Sequence, residues 1–436
     1  MDCGLDLESI QGNVVPGFNK DHQAFVLVRF GGRDEGQTWL RALQPQLASA
    51  AEVEGFRTVF RSIRDRRPAA ESHGRDGGAL RVINSTWANV AISFDGLRHL
   101  AEAHTLTRFP PAFRSNRIPG MEGPTDGDAP DAVLILGADY VRNLDDELER
   151  QRRQMAACGV DEITTFRGNT LPGDQRGHEH FGFKDGVSQP LISGTAWGSG
   201  PPVAPGEFIL GELDEAGVPS GPRLPNWTRN GSYLAFLQLR QHVETFWTAM
   251  RDHATQFGVQ AEDLASWIVG RRPDGDGTAL SEVPTRLSHL GRAYSRWLPP
   301  SEAQRHRLLR RGIPYDNSVT SDATATADRG LLFLSYQADL ERQFEHVWGH
   351  WLNAPGFPVP GAGRDALVGQ VNWPDQAVPA RLRPAAAARP GRADGIVSLT
   401  LPPFVTPLYG GYFFAPSIDG LTQLLGGASA PLTGTR

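Results

Sequence analysis

The densest run of side chains able to do chemistry is His178-Glu-His-Phe-Gly-Phe-Lys-Asp-Gly-Val-Ser-Gln-Pro190. Gly182 and Gly186 bracket Asp185 within it, and glycines there let the backbone turn tightly and come close to a flat ligand. An aspartate so placed can shuttle a proton, ligate a metal or serve only as a turn residue. His178 and His180 stand at i, i+2 and would share one face of a strand, as a metal pair would, with no further ligand in register. A second cluster is RLSHLGRAYSR, residues 286–296, with the lone His289; it reads either as a packed histidine or as a metal or haem ligand. RRGIPY, residues 310–315, follows, and its Gly312 and Pro314 predict a turn. A third cluster, residues 338–353, carries Glu341, Glu345, His346 and His350 on a predicted helix; it lacks the HExxH order of a zinc site, so an exposed face is the simpler reading.

These groups need elements to hold them, and one rhythm recurs along the chain: a short apolar strand, then an amphipathic helix. Strands are predicted at 24–30, 87–94, 132–136 and 162–167, with helices at 38–51, 96–103 and 139–157. The rhythm restarts at Gly231, with strands at 232–239, 331–336 and 412–415 and helices at 241–257, 338–353 and 417–425. This count fits an α+β protein of two halves, 1–229 and 230–436. A doubly wound parallel sheet competes, but no GxGxxG or GxxxxGK follows any strand to cradle a nucleotide. The long loops rich in Pro, Gly and Asp at 106–130, 193–229, 271–284, 316–329 and 354–393 are expected to carry or cover a site.

The chain has 436 residues, 39% hydrophobic and 21% charged, with a formal net charge of −6. That composition supports real cores and disfavours a nucleic-acid-binding surface. Of the 43 basic Lys and Arg residues, all but Lys20 and Lys184 are arginine, a bias that fits a GC-rich coding sequence. Two cysteines, Cys3 and Cys158, allow no disulfide framework, and there is no CxxCH for covalent haem attachment. No signal peptide or membrane-length apolar run is visible, so a soluble cytoplasmic protein is expected.

Read in order, the motifs resemble the dye-decolourising peroxidase family. Ile10-Gln-Gly-Asn-Val-Val-Pro-Gly-Phe18 resembles the family's opening, Glu179–Pro190 its GxxDG signature with the SQP continuation, Asn230–Leu234 and Arg240–Trp247 the start of its second half, and Arg310–Tyr315 with Arg329–Trp351 its end. The resemblance implies two ferredoxin-like halves, each an antiparallel sheet with helices, of the dimeric α+β barrel type. It implies non-covalent haem b, with His289 as the proximal iron ligand, Glu345 as the acidic partner of that histidine, Asp185 and Arg310 as the distal pair, and Gly182 and Gly186 beside the cofactor. The implied activity is a hydrogen peroxide-dependent, one-electron oxidation of bulky aromatic compounds or dyes through an oxoferryl intermediate, with hydrogen peroxide and small aromatic reductants as partners and the oligomeric state open. In such a site His289 supplies the axial donor, a neighbouring carboxylate raises its basicity, Asp185 moves the peroxide proton, and the permanently charged Arg310 stabilises negative charge beside it. Electrons from bulky donors would reach the haem through Trp or Tyr, with Trp247, Trp348 and Trp351 among ten tryptophans. The sequence departs from the family after the proximal histidine, where Tyr294-Ser295-Arg296 replaces an Asn-Pro-Arg-like ending. Alternatives are a haem-handling protein without turnover, an oxidative enzyme of a biosynthetic pathway, and a non-haem metal protein using His178 and His180.

Overall fold

The computed structural model describes residues 4–65, 84–121, 129–275, 286–295, 298–317, 328–369, 378–382 and 397–426. Cys3, Arg296 and the tail beyond 426 lie outside the described residues. The strands in chain order are β1 His22–Phe30, β2 Thr86–Ile92, β3 Ala132–Ala138, β4 Val160–Asn169, β5 Pro190–Ile192, β6 Ser199–Val203, β7 Ser232–Gln241, β8 Leu309–Arg310, β9 Ile313–Asp316, β10 Arg329–Gln337, β11 Val378–Leu382, β12 Val397–Leu401 and β13 Val405–Ala415.

Nine of these form one antiparallel sheet in the order β4-β1-β3-β2-β13-β7-β10-β8, with β9 also on β10. The first four strands lie in the order fourth, first, third, second. The set β13-β7-β10-β9 repeats that order, so the sheet is two ferredoxin-like sheets laid edge to edge. The seam is narrow, with Phe414 opposite Ile92 as its register pair. Side chains from the opening segment reinforce it. Buried Gln11 donates to the carbonyls of Val90 (2.8 Å) and Pro416 (2.7 Å) and accepts from Val90 N–H (2.8 Å). Asn13 donates to the Tyr336 hydroxyl at 3.0 Å. These bonds satisfy strand-edge groups that burial would otherwise leave costly. The outer ends of the sheet curl together, because a side chain at Gly168 on β4 would stand 2.3 Å from Ile313 on β9.

Alternation along the strands divides the apolar residues between two faces. Phe25, Leu27, Ile135, Leu234, Phe236 and Leu334 fill the inside of the curl. Val26, Val28, Leu134, Leu136, Ala235 and Leu237 pack against helices. Each such side chain larger than alanine, fully buried, contributes roughly 1.5–3 kcal/mol.

Three local expectations change. The predicted helix 38–51 is instead Arg33–Leu43, a 3-10 turn at Gln44–Gln46, and a new helix from Ala50; Pro45 cannot supply an interior N–H. RRGIPY is no simple turn, since Leu309–Arg310 pairs with Tyr336 and Ser335, and Ile313–Asp316 pairs with Leu332 to Arg329. Pro314 is tolerated because this is an edge of the sheet. The helix Glu341–Leu352 is wound wide, with Glu345 N–H donating to the Leu340 carbonyl and Asn353 N–H to that of Trp348, five residues back. Among the described residues, no helix is long and apolar enough to cross a membrane.

Candidate active site

A cavity of about 1170 Å³, its open mouth included, lies between the helix-covered face of the second half's sheet and the helix Glu341–Leu352. Leu237, Leu239, Leu331, Phe333, Phe344 and Trp348 give it apolar walls, and His289, Asp185, Arg310 and Glu179 reach it as well. An apolar cleft with a few polar groups is the usual form of a small-molecule site.

His289 opens the short helix His289–Tyr294, whose N-terminus is capped by Ser288 Oγ accepting from Gly291 N–H at 3.0 Å. Its Nδ1 lies 3.2 Å from Asp365 Oδ1. That carboxylate oxygen also accepts from the N–H groups of Leu367 (3.0 Å) and Val368 (2.9 Å). Burial pushes the Asp365 pKa up, but His289, Arg292 and the Val368 amide outweigh it and hold the carboxyl below its ordinary range. The ionised carboxylate only accepts, so Nδ1 carries the proton and the Nε2 lone pair is free for a metal. Arg292, fully buried, fixes the arrangement by donating to the carbonyls of Gly363 (3.0 Å) and Ala362 (3.3 Å), which binds the helix to the Asp365 loop.

Asp365 therefore takes the position expected of Glu345. The Glu345 carboxyl instead accepts from the Tyr412 hydroxyl at 3.0 Å, and burial, with Glu341 and Asp339 nearby, raises its pKa. On this widely wound helix the Glu345 carboxyl meets Tyr412 and not His289, so the role that the resemblance implied for it does not hold. The sequence carried one signal for Asp365, namely its place in the long loop 354–393.

Asp185 sits in the loop that leads to β5. Gly182 and Gly186 have φ of +94° and +73°, a region that favours glycine, and a side chain at either would point into open space. Gly186 N–H donates to Asp185 Oδ1 at 2.6 Å, and Asp185 N–H donates to the Gly177 carbonyl at 2.8 Å. Arg310 Nη1 stands 3.6 Å from Asp185 Oδ1. Burial disfavours the Arg310 charge, but Tyr294 and Asp185 more than offset this and raise its pKa. Gln189 grips the Arg310 backbone from both sides, donating to its carbonyl (2.9 Å) and accepting from its N–H (3.1 Å). Tyr294, from the segment that departs from the family, donates its hydroxyl to the Ser188 carbonyl at 3.0 Å and lies under the Arg310 guanidinium, 5.5 Å from it.

Glu179 ties this loop to the second half. It accepts from the N–H groups of Phe181 and Phe183, both at 2.9 Å, and from Gln241 Nε2 on β7. Burial pushes its pKa up to about 7 against these bonds. His178 and His180 do not gather a metal set. His180 Nε2 is 2.8 Å from the Tyr315 carbonyl, and no group of three or more His, Cys, Asp or Glu able to hold a metal occurs among the described residues. Of the tryptophans, Trp348 lines the cavity and donates to the Pro119 carbonyl at 2.9 Å, while Trp351 is buried beside His306 and His346.

The residues fit a haem. The cavity suits a large flat apolar ligand, one imidazole on its wall has a carboxylate on the far nitrogen, and the two glycines leave room beside Asp185.

A family model described as Dyp-type peroxidase, C-terminal, matches residues 218–356, which include His289 and Arg310. Peroxidase 2 of Mycetinis scorodonius is 26% identical over 97% of this chain and 88% of its own length. Deferrochelatase of Escherichia coli O157:H7 is 29% identical over 37% of this chain and 35% of its own. A solved ancestral D-type dye decolorizing peroxidase superposes with a TM-score of 0.75 at 25% identity, covering 97% of this chain and all of that one.

Proposed function

The chain belongs to the dye-decolourising peroxidase family of hydrogen peroxide-dependent oxidoreductases, and from that premise we propose that its apolar cavity holds haem b non-covalently on His289 and that it oxidises bulky aromatic donors. The observation that carries this reading is His289, backed by the buried Asp365, on the wall of the same cavity that Asp185 and Arg310 reach. The division into halves at 229 and 230 belongs to the same reading, and the repeated strand order supports it.

His289 Nε2 would hold the iron, and the haem would supply the redox equivalents for splitting peroxide and taking single electrons from donors. Asp365 keeps Nδ1 protonated and makes the imidazole a stronger donor. Asp185 Oδ1 and Oδ2 accept a proton from one peroxide oxygen and return it to the other, work that typically contributes about 10²–10⁴-fold in rate. Arg310, charged at every relevant pH, stabilises the carboxylate and the charge that builds on the departing oxygen. Gln189 and Tyr294 hold Arg310 at its place. The apolar walls lower the local dielectric, which strengthens each of these interactions.

The test is the pair of variants Asp185→Asn and Arg310→Leu. Both retain the haem spectrum of the parent and react with peroxide at least tenfold more slowly, on the order expected for loss of a positioned acid–base group. Parental rates in both would refute the distal assignment. A second reading, haem handling without turnover, is favoured by the partial similarity to a deferrochelatase. Peroxide-dependent oxidation of an aromatic dye by the purified protein separates the two.

A further inference from the structure

A second cavity touches the Asp185–Arg310 pair from the other side. It is polar where the first is apolar, and Asp185, Arg310 and Gly312 belong to both walls. Its charged lining is mainly basic. Lys20, Arg57, Arg310 and Arg311 reach it, and among the described residues Asp185 is its one lining carboxylate. Three of the four cations have an acidic partner: Asp139 at 2.6 Å from Lys20, Glu54 at 3.9 Å from Arg57 and Asp185 at 3.6 Å from Arg310.

Arg311 is different. Its guanidinium donates to three backbone carbonyls, those of Asn13 (3.1 Å), Arg310 (2.9 Å) and Val14 (2.8 Å). Carbonyls supply only partial charge, and burial, with the cations Arg57 and Arg310, outweighs the Tyr336 hydroxyl and holds its pKa below the ordinary range. A buried guanidinium without a counter-charge is costly, and three such bonds leave two of its five N–H groups for another acceptor. His178 adds a further donor or acceptor, because its Nδ1 is buried without a hydrogen-bond partner and the residue is on the same wall.

We propose that this cavity is a binding site for a small oxyanion, inorganic or carboxylate, seated on Arg311 and Arg57 with His178 beside it, next to the Asp185–Arg310 pair. The occupant supplies the missing negative charge and takes up the free N–H groups. Its position also closes the polar approach to Asp185. That last consequence rests on the peroxidase reading, whereas the binding itself does not.

The experiment is a calorimetric titration of the haem-loaded chain with sodium sulfate at constant ionic strength, with dimethyl sulfone as an uncharged isostere. Sulfate binds saturably at one site and dimethyl sulfone does not. Arg57→Gln and Arg311→Met each weaken sulfate binding about tenfold or more, as expected for loss of a charged hydrogen-bond donor. Because Arg311 also ties down residues 13 and 14, its variant can fail to fold, and Arg57→Gln then decides alone. Saturating sulfate slows the reaction of the parent with peroxide. Absence of saturable binding, equal binding of the sulfone, or parental affinity in Arg57→Gln overturns the site. An unchanged peroxide rate under saturating sulfate overturns its placement beside Asp185.

Discussion

Replacing Asp365 with Asn removes the charge facing His289 while keeping the side chain's volume. The amide oxygen can still accept from Leu367 and Val368, so the loop keeps its anchor, and the change falls on the Nδ1 contact at 3.2 Å. Charge-assisted hydrogen bonds contribute about 1.5–3 kcal/mol. This one is longer than the usual 2.7–2.9 Å of its type, which places it near the lower end, about 1.5–2 kcal/mol. The expected result is a haem affinity lowered by roughly 10- to 30-fold, with a rise in the reduction potential of the bound iron because the imidazole donates less. Titration of haem into the apo-protein, followed by optical absorbance, measures the first, and a redox titration the second. Asp365→Ala goes further, leaving three N–H donors without an acceptor at about 1–3 kcal/mol each, a large share of a total stability of about 5–15 kcal/mol. Glu345→Gln is the control and leaves affinity and potential at parental values. If Glu345→Gln weakened haem binding and Asp365→Asn did not, the assignment of the proximal carboxylate would be wrong.

Glu179, with its pKa pushed up to about 7, keeps its proton in the folded state over a range where the unfolded chain has lost it. Stability therefore falls as pH rises from the ordinary carboxylate range to about 7, and Glu179→Gln flattens that part of a denaturation-against-pH curve; an unchanged slope would count against its burial. Gly186→Ala forces a side chain onto φ of +73°, at about 1–2 kcal/mol, and shifts the Asp185 carboxylate; stopped-flow mixing with peroxide shows a slower reaction with the haem spectrum retained. Tyr294→Phe frees the Ser188 carbonyl and weakens the support of Arg310, so the rate with peroxide falls about fivefold while haem affinity holds, for a hydrogen bond of about 1 kcal/mol.

Much of this site was legible in the chain because its parts are local. Glycines at 182 and 186 announce the left-handed backbone that their φ values require, and the apolar run within Ser232–Gln241 announces the strand that walls the cavity. The opening Gln11 and Asn13 stood out only as a motif, and their work at the seam between the halves appears once β2 and β13 are adjacent. The edge strands around Arg311 were hidden because Gly312 and Pro314 punctuate a segment whose pairing comes entirely from β10. Asp365 was hidden more deeply. It lies 76 residues from His289 in an irregular loop, where no periodicity points to it. Glu345, on a regular-looking helix, was the more visible carboxylate, but on that widely wound helix it meets Tyr412.

The most direct test of the central claim is the optical spectrum of the haem-reconstituted protein with and without the imidazole at position 289. The parent shows a histidine-ligated ferric haem. His289→Gly loses that spectrum and regains it when free imidazole is added to fill the vacated space beside Asp365. A variant that kept the parental spectrum with no imidazole present would contradict the account.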